Sequence, residues 1–313
     1  MRVLVTGAGG YVGQVVARQL LRDGHEPVGL VHRTAPHIDG VTWRQGDILV
    51  PSSLRLATAD VDAVIHLSAL AGVRNAFEHP ARCYQVNLSG TLNLIEVLAE
   101  RPDDAVRLVF ASTSGVYGTP RRQPITEHTA TDPQNPYAAS KLAAEQAIAW
   151  QTRTGKLGAV TLRLSNVAGG VGSHGDTDET RLIARTCAVA AGRLPRLDVY
   201  GDGGAVRDFV HVADAARALV AALGICDAGT HQILNIGATA ASVSEVITTA
   251  QQVTGRVIAV EYLAPHPDEV RELRGDNTNA RRILGWRPEC SGLGRLVSDQ
   301  WTAEQSAAYR EMR

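Results

Sequence analysis

Short β-branched, apolar runs alternate along the chain with longer segments whose apolar residues recur every three or four positions. The first pattern suits buried strands and the second amphipathic helices, and their alternation builds right-handed βαβ units around a parallel sheet. The runs predict strands at Arg2–Thr6, Pro27–Val31, Thr42–Gly46, Ala63–Leu67, Leu108–Ser112 and Val160–Leu164. Helical spacing marks Gly90–Glu100 and Tyr137–Thr152. Beyond about residue 165 the pattern loosens into Gly-rich loops, with helices expected near Glu179–Ala191, Asp214–Leu223 and Ser242–Thr254. The expectation is an α/β fold: a Rossmann-type, doubly wound parallel sheet over residues 1–165, with segments near 205–240 returning to it. A smaller C-terminal α/β lobe takes most of 166–313.

Length agrees with this division, since 313 residues exceed one ordinary core. The 31 basic and 32 acidic side chains nearly cancel, so no global field recruits nucleic acid or an anionic membrane, and any anion must be recognised locally. No segment approaches the roughly 20 apolar residues that span a bilayer. The opening residues Met1–Gly7 hold no apolar stretch long enough for a secretory signal, which predicts a cytoplasmic protein. Cys83, Cys187, Cys226 and Cys290 are scattered, without a C-x-x-C pair or a His/Cys cluster. They are read as reduced packing residues, and no metal site is expected.

The first strand runs into Thr6-Gly7-Ala8-Gly9-Gly10-Tyr11-Val12-Gly13, which opens a helix over Tyr11–Arg22 closed by Gly24. Glycines at 7, 10 and 13 let the turn close and let the backbone approach a pyrophosphate, whose charge the helix N-terminus meets. Gly7, Gly10, Tyr11, Val12 and Gly13 are therefore candidate contacts to a nicotinamide dinucleotide. At the end of the second strand an acid would suit the ribose of NAD and a base the 2′-phosphate of NADP. The chain offers His32 and Arg33 there. The planar fork of Arg33 suits a phosphate, so both NAD and NADP stay open. Asp47 and Ile48, after the third strand, are placed near the adenine edge.

Pro136-Tyr137-Ala138-Ala139-Ser140-Lys141 sets a phenol and an ammonium one helical turn apart on one face. A phenol ionises near pH 10, so a phenolic base at neutral pH needs a nearby cation, which Lys141 and an oxidised nicotinamide supply. The strand Leu108–Ser112 runs into the hydroxyl-bearing stretch Thr113-Ser114-Gly115-Val116-Tyr117-Gly118, at the strand end where open α/β sheets bind ligands.

With these motifs stand His66-Leu67-Ser68-Ala69, Asn87-Leu88-Ser89-Gly90-Thr91, Asn166-Val167-Ala168-Gly169, Arg207-Asp208-Phe209-Val210-His211-Val212 and Asn235-Ile236-Gly237. In this order they resemble the extended short-chain dehydrogenases/reductases of the NAD-dependent epimerase/dehydratase family, most closely the UDP-glucose 4-epimerase group, over nearly the whole chain. The resemblance implies a catalytic set of Thr113, Tyr137 and Lys141, with Tyr137 as general base. Leu67, Ser68, Ala69 and Asn87 join the cofactor contacts, as do Tyr137 and Lys141. Thr113, Ser114, Asn166, Arg207 and Arg271 meet a nucleotide-sugar substrate, Arg207 neutralising its diphosphate. His66 is read as a packed strand histidine without a role. In similar enzymes the helices of Gly90–Glu100 and Tyr137–Thr152 pair across a two-fold axis. Here Leu94, Leu98, Ala144 and Ile148 are read as their outward apolar residues, a pattern that agrees equally with a monomer core, and a homodimer is expected.

The chain departs from its relatives at three places. Ser114 and Gly115 stand where the sugar-nucleotide dehydratases carry an acid pair, so water elimination lacks its catalysts. His266 stands where many relatives hold an arginine on the diphosphate, with Arg271 a nearby substitute. His32-Arg33 replaces the acid usual in the epimerases. Three functions remain open: a UDP- or dTDP-hexose 4-epimerase, an NADPH-dependent 4-ketoreductase of an activated deoxysugar, and a catalytically silent dinucleotide-binding regulator on the same fold.

Overall fold

The computed structural model describes residues 1–101, 105–265 and 271–306. A glycine-loop βα unit starts the chain, with β1 (Arg2–Thr6), α1 (Tyr11–Arg22) and β2 (Glu26–Val31). Then come β3 (Thr42–Gln45), α2 (Pro51–Thr58), β4 (Ala63–His66), two short helices α3 (Val73–Glu78) and α4 (Pro80–Tyr84), and α5 (Gly90–Ala99). They are followed by β5 (Val106–Thr113), α6 (Pro136–Thr152) and β6 (Leu157–Leu164). These six strands and a later one, β12, form a seven-stranded sheet in the order β12-β6-β5-β4-β1-β2-β3, parallel throughout. Every residue of β4 and of β6 is buried, as strands covered on both faces must be.

After β6 the chain forms β7 (Asn166–Ala168), the two-residue strands β8 (Gly170–Val171) and β9 (His174–Gly175), α7 (Leu182–Ala190), β10 (Leu197–Tyr200), β11 (Val206–His211) and α8 (Val212–Ala221). It returns to the large sheet through β12 (His231–Ile236), then leaves again through β13 (Thr239–Ser242), α9 (Val243–Thr254), β14 (Val260–Leu263), β15 (Glu272–Leu273), α10 (Thr278–Leu284) and α11 (Leu293–Gln305). Around β11 a small sheet gathers β7 and β15 in parallel and β13 antiparallel. Apolar side chains of α7, α9 and α11 close over it in a core of their own, with Ile183, Val246 and Leu296 buried. Helix α9 begins with a reciprocal cap: Ser242 Oγ accepts the Glu245 N–H at 3.2 Å while the Glu245 carboxylate accepts the Ser242 N–H at 2.7 Å.

Helices cover both faces of the large sheet, α1, α8 and α10 on one and α2, α5 and α6 on the other. Leu94, Leu98, Ala144 and Ile148, expected to point outward, are instead fully buried against Leu4, Val64 and Leu108 on the second face. The sheet, not a partner, is what their helical stripe was built to meet. The apolar side chains that α5 and α6 expose are Leu92 and Trp150. Among the described residues, no helix is long and apolar enough to cross a membrane, and no His/Cys/Asp/Glu group could hold a metal ion.

Asp214, in the first turn of α8, ties the C-terminal segment to the sheet body. Its buried carboxylate accepts the Cys290 N–H at 2.9 Å, the Glu289 N–H at 3.2 Å, the Ser291 hydroxyl and the Arg217 guanidinium. The Trp286 indole N–H donates to the Asp214 carbonyl at 2.9 Å. Asp214→Ala takes the carboxylate from the Cys290 and Glu289 N–H groups and the Ser291 hydroxyl while leaving the Trp286 bond in place, and urea unfolding should show a loss of about 3 kcal/mol or more.

Candidate active site

The turn between β1 and α1 is built from close approaches. Gly7 has φ +70°, and a β-carbon there would stand 3.0 Å from the Ser68 nitrogen. On Gly13 a β-carbon would lie 2.2 Å from the Gly7 carbonyl oxygen, so only glycine lets α1 start against the loop. The Thr6 hydroxyl accepts the N–H groups of Leu67 and Ser68, each at 3.2 Å, which holds the loop after β4 against the glycine turn. No side chain caps α1 and no acid stands in its first turn, so its positive end faces the cleft uncompensated.

His32 and Arg33 are exposed at the end of β2. His32 Nε2 lies 3.5 Å from an oxygen of Asp47, so an acid from the end of β3 reaches the position where β2 supplies none. Ile48 is buried beneath Gly90, whose missing side chain makes room for it.

Thr113 closes β5 at its carboxyl end, and its Oγ1 accepts the Gly115 N–H at 3.1 Å. Helix α6 starts beside it because Asn135 caps the Ala138 N–H at 2.9 Å and Pro136 occupies the first turn. The Tyr137 phenol is thereby brought beside the Thr113 side chain. One turn on, Lys141 is buried, with Nζ 4.2 Å from the centre of the Phe110 ring. Burial pushes the Tyr137 phenol above its usual range, opposed by the charge of Arg181 and by the Thr113 hydrogen bond. Burial pulls the Lys141 ammonium down to about 7, opposed by the carboxylate of Glu145. A hydroxyl pair beside a lysine poised near neutral pH is equipped to move a proton to or from a bound alcohol or ketone.

Asn87, expected among the cofactor contacts, is buried and hydrogen-bonded to neighbouring elements. Its amide accepts the Leu70 N–H at 2.8 Å and donates to the Leu70 carbonyl at 3.2 Å and to Ser140 Oγ at 3.0 Å. It thus braces the loop of Leu67, Ser68 and Ala69 against α6. His66 bridges the hydroxyls of Thr6 and Thr91 at 2.6 and 3.0 Å, and burial drops it to about 3, so it is a neutral packing residue.

On the lobe side, Asn166 and Arg207 lie on the adjacent strands β7 and β11, and Arg271 is exposed just before β15. Asp208 is buried, accepts the Ala238 and Gly275 N–H groups at 3.0 Å each, and is raised by burial to about 6. His266 lies outside the described residues.

The family model of the NAD dependent epimerase/dehydratase family matches residues 3–237. The chain belongs to that family. The UDP-glucose 4-epimerase of Streptomyces lividans is 37% identical over 317 residues, with 96% of this chain and 95% of the relative covered. That of Corynebacterium glutamicum is 34% identical over 314 residues, at 96% and 95% coverage. The crystal structure of UDP-glucose-4-epimerase from Stenotrophomonas maltophila with bound NAD and formylated UDP-arabinopyranose matches with a TM-score of 0.92 at 28% identity, covering 100% of both chains. The Bifidobacterium longum UDP-glucose 4-epimerase, in complex with NAD+ and UDP, gives 0.89 at 27% identity, covering 99% of each. The family's dinucleotide fits the residues present, because the cradle at Gly7 and Gly13 is one that a β-carbon would fill and the uncapped end of α1 suits a pyrophosphate.

Arg181 carries no motif and escaped the sequence reading. It stands at the start of α7, its guanidinium 3.1 Å from Asp176 and 3.4 Å from Asp178, and its charge reaches both Tyr137 and Tyr11. Only the folding of the lobe over the sheet brings it there.

Lys141 makes stability depend on pH with a definite sign. An unfolded lysine keeps its proton to about 10.5, whereas the folded one releases it near 7, so the unfolded state binds more protons between these values. Stability should rise with pH across that window by up to about 1.4 kcal/mol per unit from this group. Lys141→Met removes the slope. In cofactor-free protein its stability advantage over the parent should be largest at pH 7 and shrink toward pH 10, as followed by urea unfolding; parallel curves would contradict the burial argument.

Proposed function

We propose that this chain is a nucleotide-sugar 4-epimerase acting on a UDP- or dTDP-hexose by transient oxidation at C4. The observation that carries this reading is the Thr113–Tyr137 pair beside buried Lys141, set at the carboxyl end of β5 in a chain with no acid at positions 114 and 115. Tyr137 takes the proton of the sugar 4-hydroxyl, and Thr113 hydrogen-bonds the same oxygen and aligns it. A nicotinamide dinucleotide bound there would supply reversible hydride acceptance at C4. Gly7, Gly10, Tyr11, Val12 and Gly13 hold its pyrophosphate, Asp47 and Ile48 its adenosine end, Leu67, Ser68 and Ala69 its middle, and Lys141 its nicotinamide ribose. Asn166, Arg207 and Arg271 meet the substrate diphosphate. Ser114 and Gly115 leave space for the intermediate 4-keto sugar to turn over. Residues 1–165 with β12 form the dinucleotide-binding part, and residues 166–313 supply most of the substrate lobe.

NAD is the cofactor that fits best, since Asp47 beside His32 sets a negative charge where a 2′-phosphate would have to lie. Exposed Arg33 favours the NADPH-dependent 4-ketoreductase instead. Mass spectrometry of the dinucleotide released on denaturing freshly purified protein separates the two. Stoichiometric NAD is expected; an empty site that prefers NADPH to NADH would move the assignment to the ketoreductase. Under either reading Tyr137→Phe should lower kcat by at least about a hundredfold, and unchanged turnover would remove Tyr137 from the mechanism.

The same reading includes a homodimer formed through α5 and α6, which pack side by side and expose Leu92 and Trp150. Sedimentation velocity at micromolar concentration should show a dimer that Trp150→Glu weakens; a monomer in the parent protein excludes it.

A further inference from the structure

A buried carboxylate lies one helical turn beyond Lys141 on α6. Glu145 is 3% exposed and its partner Arg163, on β6, 5%. Arg163 Nη2 stands 2.6 Å from Glu145 Oε2 and its Nε 3.1 Å from Oε1, while Ser112 Oγ, from the residue before Thr113, donates to Oε1. The guanidinium is itself fixed 4.7 Å over the ring of Tyr117, whose hydroxyl donates to Asn235 at 2.7 Å. An apolar pair of the same volume would stabilise the contact of α6 with β6 about as much, because removing two charges from water offsets most of their attraction. Stability alone therefore does not account for the charge.

Lys141 supplies one. The ionisable groups that face it are Glu145 on its own helix, Cys83 on α4 and His66 on β4. His66 is neutral, so Glu145 is the anion that opposes the burial of the ammonium. Around Glu145 itself stand Arg163 on β6, Ser112 on β5 and His231 on β12. We propose that Glu145, clamped by Arg163 and Ser112, is a positioning residue that keeps Lys141 protonated and aligned beside Tyr137. Resting on the epimerase reading, this assigns Arg163 a second task. By engaging both carboxylate oxygens it keeps Glu145 from swinging onto Nζ, so the anion acts on Lys141 through space and leaves the ammonium's N–H groups for the ribose and for Tyr137.

The test exploits composition, since the chain holds only two lysines, Lys141 and the exposed Lys156. In protein labelled at the lysine ε-carbon, NMR titration should show two resonances, with Lys156 as internal reference. Glu145→Gln keeps the shape and the hydrogen-bond acceptor but removes the charge. It should move the Lys141 midpoint to lower pH by about one unit and leave Lys156 in place. It should also begin the alkaline fall of kcat at correspondingly lower pH, about tenfold down above the midpoint, with KM little changed. An unmoved midpoint overturns the proposal, even if activity falls, and leaves Glu145 a strut. Should Glu145→Gln not fold, Glu145→Gln/Arg163→Met removes both buried charges together, and the same downward shift is expected of it. If the parent enzyme interconverts no nucleotide sugar, the epimerase reading fails while the lysine midpoint still decides the role of Glu145.

Discussion

Glu145 receives the guanidinium of Arg163 from β6 and the hydroxyl of Ser112 from β5, and this buried cluster sets how helix α6 lies across the carboxyl ends of the two strands. The site follows from that placement. Thr113 is the next residue along β5, and Tyr137 and Lys141 are the preceding turns of α6, so a shift of the helix along the sheet would separate the hydroxyl pair and uncover the ammonium. Polar groups specify such a register better than apolar ones, since a carboxylate and a fork of N–H donors match in few geometries whereas methyl groups tolerate sliding. From the other side, Asn87 and Ser140 tie α6 to the loop after β4, which in turn lies on the glycine turn. Cofactor cradle and proton-transfer groups are thereby parts of one braced unit.

Burial acts on the two key side chains in opposite directions and to one end. It raises the Tyr137 phenol and lowers the Lys141 ammonium, so the pair is driven toward a neutral phenol beside a lysine close to losing its proton. The groups that oppose this are Arg181 and Thr113, from other elements, for the tyrosine, and Glu145, one turn further along α6, for the lysine. A low-dielectric pocket makes each of these contributions larger than it would be at the surface, which is how a few neighbours counter the effect of burial on both groups.

Most strands were legible because a strand covered on both faces must be mainly apolar, and β1, β4 and β6 are, with His66 and Arg163 among the buried polar exceptions. Their edges were not, since β5 runs on to Thr113 and β6 starts at Leu157, limits set by pairing with neighbours. The seventh strand, β12, was visible only as a returning region, because His231-Gln232 at its start carries no apolar signature and its place comes from pairing with β6. The helical stripes of α5 and α6 were recognised, but whether they met a core or a partner was open until the structure put them on the sheet. Periodicity shows that Leu94, Leu98, Ala144 and Ile148 share faces; it does not say whether a sheet or a second subunit covers them.

Local chemistry was written in the sequence. Glycines at 7, 10 and 13, a tyrosine and a lysine one turn apart, and a threonine at a strand end identify themselves because each must stand at a fixed spacing on one element to work at all. Relations between elements were decided only by the tertiary structure. The acid Asp47 beside His32, the cation of Arg181 reaching Tyr137 from the lobe, and the Glu145–Arg163 clamp under Lys141 join residues with no mutual spacing rule. Electrostatic interaction depends on distance and burial in space, and neither is a property of a residue's place in the chain.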